Sequence, residues 1–181
     1  MNTYYFDNGA TTKVKDEVLE EMIPYFSEKY GNPSSVYSLG REAKKGIEDA
    51  RERVSNLIGA NKNEIIFTGC GSESDNMALK GIAFSNKNKN HIITTKIEHP
   101  AILDTCNFLE KQGFNITYLN VDSQGFIDLN ELRSSITDKT ALISIMFANN
   151  EIGTIQPIED IGNIAKENNI IFHTDSVQAV R

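Results

Sequence analysis

The sequence predicts an α/β fold, a mainly parallel sheet with helices on both faces. Three observations predict it. Short β-branched apolar runs alternate with longer amphipathic segments. The runs are short and mainly apolar, as strands covered on both faces are. No internal repeat, low-complexity tract or obvious linker interrupts the alternation. The 181 residues suffice for one real core, since domains run to roughly 100–200 residues. Lys and Arg number 18 against 25 Asp and Glu, a formal charge of −7, which argues against general affinity for nucleic acid or anionic membranes. The longest apolar stretch, Ala141 to Ala148, is far short of the ~20 residues of a membrane helix. Cys70 and Cys106 are too few for a disulfide framework and lack metal-ligand spacing, so no metal is expected and a cytoplasmic setting is.

The elements follow in order. Tyr4-Tyr5-Phe6 stops at the turn Asp7-Asn8-Gly9, and Val14, Val18, Met22, Ile23 and Phe26 recur at helical spacing. Pro33 marks a loop. Ala43, Ile47, Ala50, Val54 and Leu57 define a second helix, with Lys44/Glu48 and Asp49/Arg53 placed to pair on its wet face, and Gly59 ends it. Residues 1–60 therefore read as an N-terminal helical segment and loop, and 61–181 as an α/β domain. Five runs there read as strands: Ile65–Thr68, Ile92–Thr95, Ile116–Leu119, Leu142–Phe147 and Ile170–Thr174. Ser74–Ala83, Ala101–Lys111, Leu129–Ile136 and Ile158–Glu167 supply the helical crossovers, and Asp128-x-x-Glu131 reads as a capping box.

Ligands of such sheets sit beyond the carboxyl ends of the strands. After Thr68 comes Gly69-Cys70-Gly71-Ser72, where free amides at a helix start form an anion site; alternatively Ser72 only caps that helix, with Asp75 answering it. After Thr95, His99 sits before Pro100 at a helix start, which disfavours a protonated ring; it is either an imidazole for stacking or proton transfer, or merely a cap. Asn149 and Asn150 follow an apolar strand and either face a ligand or satisfy the turn. Asp175 ends the last run, where a carboxylate is costly unless a cation or donors meet it. His173 and Cys106 read as structural. An anion cradle, a flat imidazole, carboxamides and a carboxylate suited to a ring cation together match a phosphorylated, protonatable aromatic cofactor, and pyridoxal phosphate (PLP) has those parts.

The stretches Tyr5 to Thr12, Gly31-Asn32-Pro33-Ser34-Ser35, Phe67 to Asn76, Glu98-His99, Asn149-Asn150-Glu151-Ile152-Gly153 and His173 to Gln178 occur in order over nearly the whole chain. In them the sequence resembles the N-terminal part of the cysteine desulfurases, fold-type-I PLP enzymes grouped with the class V aminotransferases. The resemblance implies that the chain is a truncated fold-type-I large domain, with 61–181 an incomplete cofactor-binding domain. It implies that Gly71 and Ser72 bind the cofactor phosphate and that His99, the catalytic candidate, stacks on the ring. It further implies that Asn150 contacts the ring hydroxyl side, Asp175 pairs with the pyridinium and Gln178 bonds the phenolic oxygen.

Gly71 and Ser72 stand where the family often has Ala and Thr, and Ser keeps the hydroxyl. The implied reaction is a sulfur transfer, L-cysteine to alanine, with a protein thiol as acceptor for iron–sulfur cluster assembly or thiolation. The implied partners are L-cysteine, a sulfur-acceptor or iron–sulfur scaffold protein, and a second copy in a homodimer. The Ser-Gly-His-Lys segment with the Schiff-base lysine, the sulfur-accepting cysteine and the substrate-binding arginine do not occur, so the chain alone is expected to be inactive. The family sheet also places Ile65–Thr68 beside strands beyond Arg181, which leaves Ile116–Leu119 at one edge and Ile170–Thr174 at the other. The alternatives are a selenocysteine lyase or another class V enzyme, a noncatalytic fragment, and a Rossmann-type nucleotide binder, which lacks its third glycine and the acid about 20 residues on.

Overall fold

The computed structural model describes residues 4–86 and 88–180. The chain divides into two compact units, Met1–Phe67 and Thr68–Arg181. Residues 62–67 lie in the first unit and are held by its long helix.

In the first unit the expected leading helix is two, α1 (Asp16–Met22) and α2 (Pro24–Ser27). Pro24 lacks the N–H that would continue α1, but suits the first position of a new helix. Helix α3 (Ser38–Ile58) ends at Gly59, whose φ of 69° is the left-handed conformation of a helix stop. Gly46 of α3 lets the Tyr25 ring lie against the helix, since a Cβ there would stand 2.3 Å from the Tyr25 hydroxyl. The wet-face pairs differ from those expected: Asp49 takes Lys45, and Glu48 takes Arg51 at 3.5 Å. Of the apolar stripe only Ala43 is buried, and Leu57 is 63% exposed.

The expected strand Ile65–Thr68 is a correction: among the described residues this run is extended but joins no sheet. Its groups are engaged within the first unit instead. Arg51 donates to the Ile65 carbonyl, and its guanidinium lies 5.0 Å from the Phe67 ring centre.

The second unit alternates α4 (Gly71–Ser85), β1 (His91–Thr95), α5 (Pro100–Lys111), β2 (Asn115–Leu119), α6 (Leu129–Ser135), β3 (Thr140–Ser144), α7 (Ile158–Glu167) and β4 (Ile171–His173). The sheet is parallel throughout, in the order β2-β1-β3-β4. The run from Ile116 and the run ending at Thr174 thus lie at its two edges, as expected. All of β1 and β3 is buried, whereas the edges are partly open.

Strand alternation splits the core in two. Ile92 and Leu142 pack with Leu79 and Ala83 of α4 and Ile102, Cys106 and Leu109 of α5, so Cys106 is a core residue as read. Ile93, Ile143 and Ile145 pack with Leu132 of α6 and Ile161, Ile164 and Ala165 of α7. Only half of the capping box forms: Asp128 accepts from the Asn130 amide at 2.7 Å, while Glu131 turns to Asn120 at 3.0 Å. β3 is shorter than expected, yet hydrogen bonds from Ile145 to His173 O and from Phe147 to Asp175 O carry the pairing past both strand ends. Among the described residues no helix is long and apolar enough to cross a membrane.

Two outcomes follow from this packing. Ile143→Ala should cost about 3 kcal/mol in a urea melt, since it empties space between the sheet and α7. Amide exchange should be fast from Ile65 to Thr68 and slow in β1 and β3; equal protection would contradict the unpaired run.

Candidate active site

The sheet gathers the candidate residues because β1, β3 and β4 all point their carboxyl ends the same way. α4 begins directly after Cys70, whose backbone is extended, and no side chain caps it. The Ser72–Asp75 cap is therefore absent. Instead Glu73 reaches back to the Gly69 amide at 2.6 Å, and Thr68 and Ser74 share a hydroxyl contact of 2.7 Å. Among the described residues nothing accepts from the Gly71 and Ser72 amides, which leaves two donors at the positive end of a four-turn helix. A Cβ on Gly71 would meet Val177 Cγ2 at 3.5 Å, an ordinary contact. The segment carrying Asp175 and Gln178 therefore borders the start of α4.

His99 is the N-cap of α5, and its Nδ1 accepts from the Ala101 amide at 3.1 Å. The capping reading holds, since the cap fixes the ring with its proton on Nε2, and the ring itself stays exposed. Its neighbour Glu98 is 5% exposed. Both Glu98 oxygens accept from the Met146 amide, at 3.0 and 3.1 Å, and Oε1 also accepts from the Thr95 hydroxyl at 2.7 Å.

The two asparagines differ in burial. Asn149 is buried and satisfies the turn: its Oδ1 accepts from Glu151 and Ile152, and its Nδ2 donates to Ile97 O at 2.8 Å. Asn150 is half-buried on the same turn. Asp175 is half-buried and accepts from the Val177 amide at 3.0 Å, while Gln178 is exposed on the same segment.

Reasoning from sequence missed two acids. Glu98 gave no periodic signal, because the backbone amide it serves, that of Met146, follows another strand. Asp75 gave one: it heads the buried stripe Asp75, Leu79, Ala83, where an acid on an apolar face is conspicuous. Burial, then the nearby Asp175 charge, raises Asp75 from 3.8 to about 6. Burial likewise raises Glu98 from 4.5 to about 7, against its hydrogen bonds from Thr95 and Met146. His173 Nε2 lies 3.8 Å from Asp75, and its Nδ1 is 2.9 Å from Ser144 Oγ. Burial lowers the His173 pKa and favours its neutral form. The arrangement thus has an anion-seeking helix start beside a cation-seeking group of acids, flanked by a fixed imidazole.

The fold is a parallel α/β domain that carries these groups at the carboxyl end of its sheet. The chain belongs to the class-V aminotransferase family, which matches residues 4–181. It is 62% identical over 177 residues to a cysteine desulfurase IscS of Clostridium botulinum (strain Kyoto / Type A2), covering 97% of this chain and 45% of that protein. Among solved structures it resembles a NifS-like protein, with a TM-score of 0.94 and 49% identity over 97% of this chain and 49% of that one. A second is SspA in complex with cysteine, with a TM-score of 0.95 and 46% identity over 98% and 51%. The chain spans about half the length of the relatives it matches.

Because the folded state holds the Glu98 proton more tightly than the unfolded chain does, stability should fall as pH rises from about 4.5 to about 7. The Glu98 share is roughly 3 kcal/mol. Glu98→Gln keeps acceptors for Met146 and Thr95 and should flatten that slope in denaturant melts; an unchanged slope would count against the assignment.

Proposed function

We propose that this chain is the cofactor-binding half of a PLP-dependent cysteine desulfurase, which converts L-cysteine to alanine and passes sulfur to a protein thiol. The observation that carries the reading is the polarity of the strand-end site. Free amides at the start of α4 stand beside the Asp175 segment, and a second acid, Asp75, is buried nearby with no lysine or arginine paired to it among the described residues. Those donors suit a phosphate and those acids suit a protonated ring nitrogen, so the residues present fit PLP. The similarity to IscS-type and NifS-like proteins, one of them solved with cysteine, supports the same substrate.

In this reading Gly71 and Ser72 hold the phosphate, Asp175 pairs with the ring nitrogen and His99 covers the ring face. Gln178 and Asn150 serve the phenolic oxygen side. When bound, PLP supplies an electron sink for negative charge at an amino acid's α-carbon. The protein's part is to keep the ring nitrogen protonated through Asp175 and to present the His99 Nε2 proton. Glu98 and Asn149 fix the backbone on which these groups stand. The complete protein works in the cytoplasm as a homodimer, with a sulfur-acceptor or iron–sulfur scaffold protein as its partner.

Asp175→Ala in the holoenzyme should lower turnover far more than cofactor affinity, since the ring charge matters most as the carbanion forms. Near-normal turnover would refute the role. The 181-residue chain alone should bind PLP without covalent attachment and show no desulfuration. Borohydride reduction and peptide mapping check this, and specific labelling of one lysine, such as Lys96, would overturn it.

A further inference from the structure

Asp75 carries a cost that the roles above leave unexplained. The other buried residues of α4, Leu79 and Ala83, pack into the apolar layer. Asp75 is 5% exposed, yet among the described residues no N–H or O–H donates to it, and the closest basic atom is His173 Nε2 at 3.8 Å. A buried carboxylate without donors or a cation is strongly disfavoured.

Four titratable groups face it: His173 from β4, Asp175 just beyond β4, and Glu98 and His99 from the start of α5. His173 is kept neutral by burial and is tied to Ser144 of β3 by its Nδ1. Ser144 and His173 are paired across β3 and β4, and lie on the face of Leu142 that packs against α4 and α5. A hydroxyl, an imidazole and a carboxyl thus run from β3 through β4 to α4, ending beside Asp175. Among the described residues no lysine or arginine pairs with Asp75, and burial raises its pKa to about 6, so a cation brought by a ligand would favour its charged form.

We propose that Asp75 is a positioning residue which, propped by His173 and Ser144, adds a second negative charge behind Asp175 and so locks the bound ring nitrogen in its protonated form. This rests on the PLP reading of the site. Asp175 touches the ring nitrogen, and Asp75 acts on it through Asp175.

The test uses the 181-residue chain with 4′-deoxypyridoxine 5′-phosphate, which keeps the ring nitrogen and phosphate but has no aldehyde, and inorganic phosphate as the control. Carboxyl resonances should show Asp75 titrating near 6 without ligand. The analogue should lower that midpoint by about one pH unit, and phosphate should not move it. Above neutral pH, Asp75→Asn should weaken analogue binding about tenfold while leaving phosphate binding unchanged. Asp75→Glu should restore most of the affinity, and His173→Gln should fall between.

Analogue binding that shifts the Gly71 and Ser72 amides but leaves the Asp75 midpoint and the Asp75→Asn affinity unchanged would overturn the proposal alone. An analogue that perturbs neither those amides nor Asp175 would overturn the PLP reading, and the proposal with it. Should Asp75→Asn fail to fold, the midpoint shift in the parent chain and the His173→Gln affinity decide.

Discussion

The Glu98 carboxylate is the interaction on which the site depends. It lies where β1 ends and accepts from the Met146 amide beyond β3, so two neighbouring parallel strands are joined at the point where their chains diverge. His99 follows it directly, and Asn149 lies three residues past Met146. Asn149 then closes the loop by donating to Ile97 O. An imidazole and a carboxamide on separate elements are thereby fixed relative to each other through backbone atoms. The arrangement has an energetic cost, because a carboxyl so deeply buried is held with its pKa near 7.

Much of the fold was legible because local pattern and tertiary role agree. Ile92 and Ile93 are both apolar because β1 is covered on both faces, and Gly59 stops α3 because the backbone there is left-handed. The failed strand has its origin in a partner distant in sequence. Ile65–Thr68 has strand composition, but a strand exists only where a neighbour pairs with it; here Arg51 takes the Ile65 carbonyl. Ser72 has the chemistry of a cap but sits inside the helix, after an extended Cys70. Pro24 was legible in principle as a break in the leading helix, because its ring forbids continuation.

For the site, residue type at strand ends identified the positions, and geometry then sorted them. His99, Asn150, Asp175, Gly71 and Ser72 are brought to one end of the sheet, with Gln178 on the Asp175 segment. Asn149 proves to be scaffolding. Burial raises the pKa of both Glu98 and Asp75, and of the two only Asp75 lacks a donor among the described residues, an acid its surroundings do not compensate. The start of α4 supplies the opposite polarity nearby. A ligand carrying both an anionic group and a ring cation resolves both imbalances, whereas a simple anion or a simple cation resolves one.

The most direct test of this account is a crystal structure of the chain grown with PLP. The account predicts the phosphate at the Gly71 and Ser72 amides, the ring against His99, and its nitrogen facing Asp175. Density for the ligand elsewhere, or a ring turned with its nitrogen away from Asp175, would contradict it.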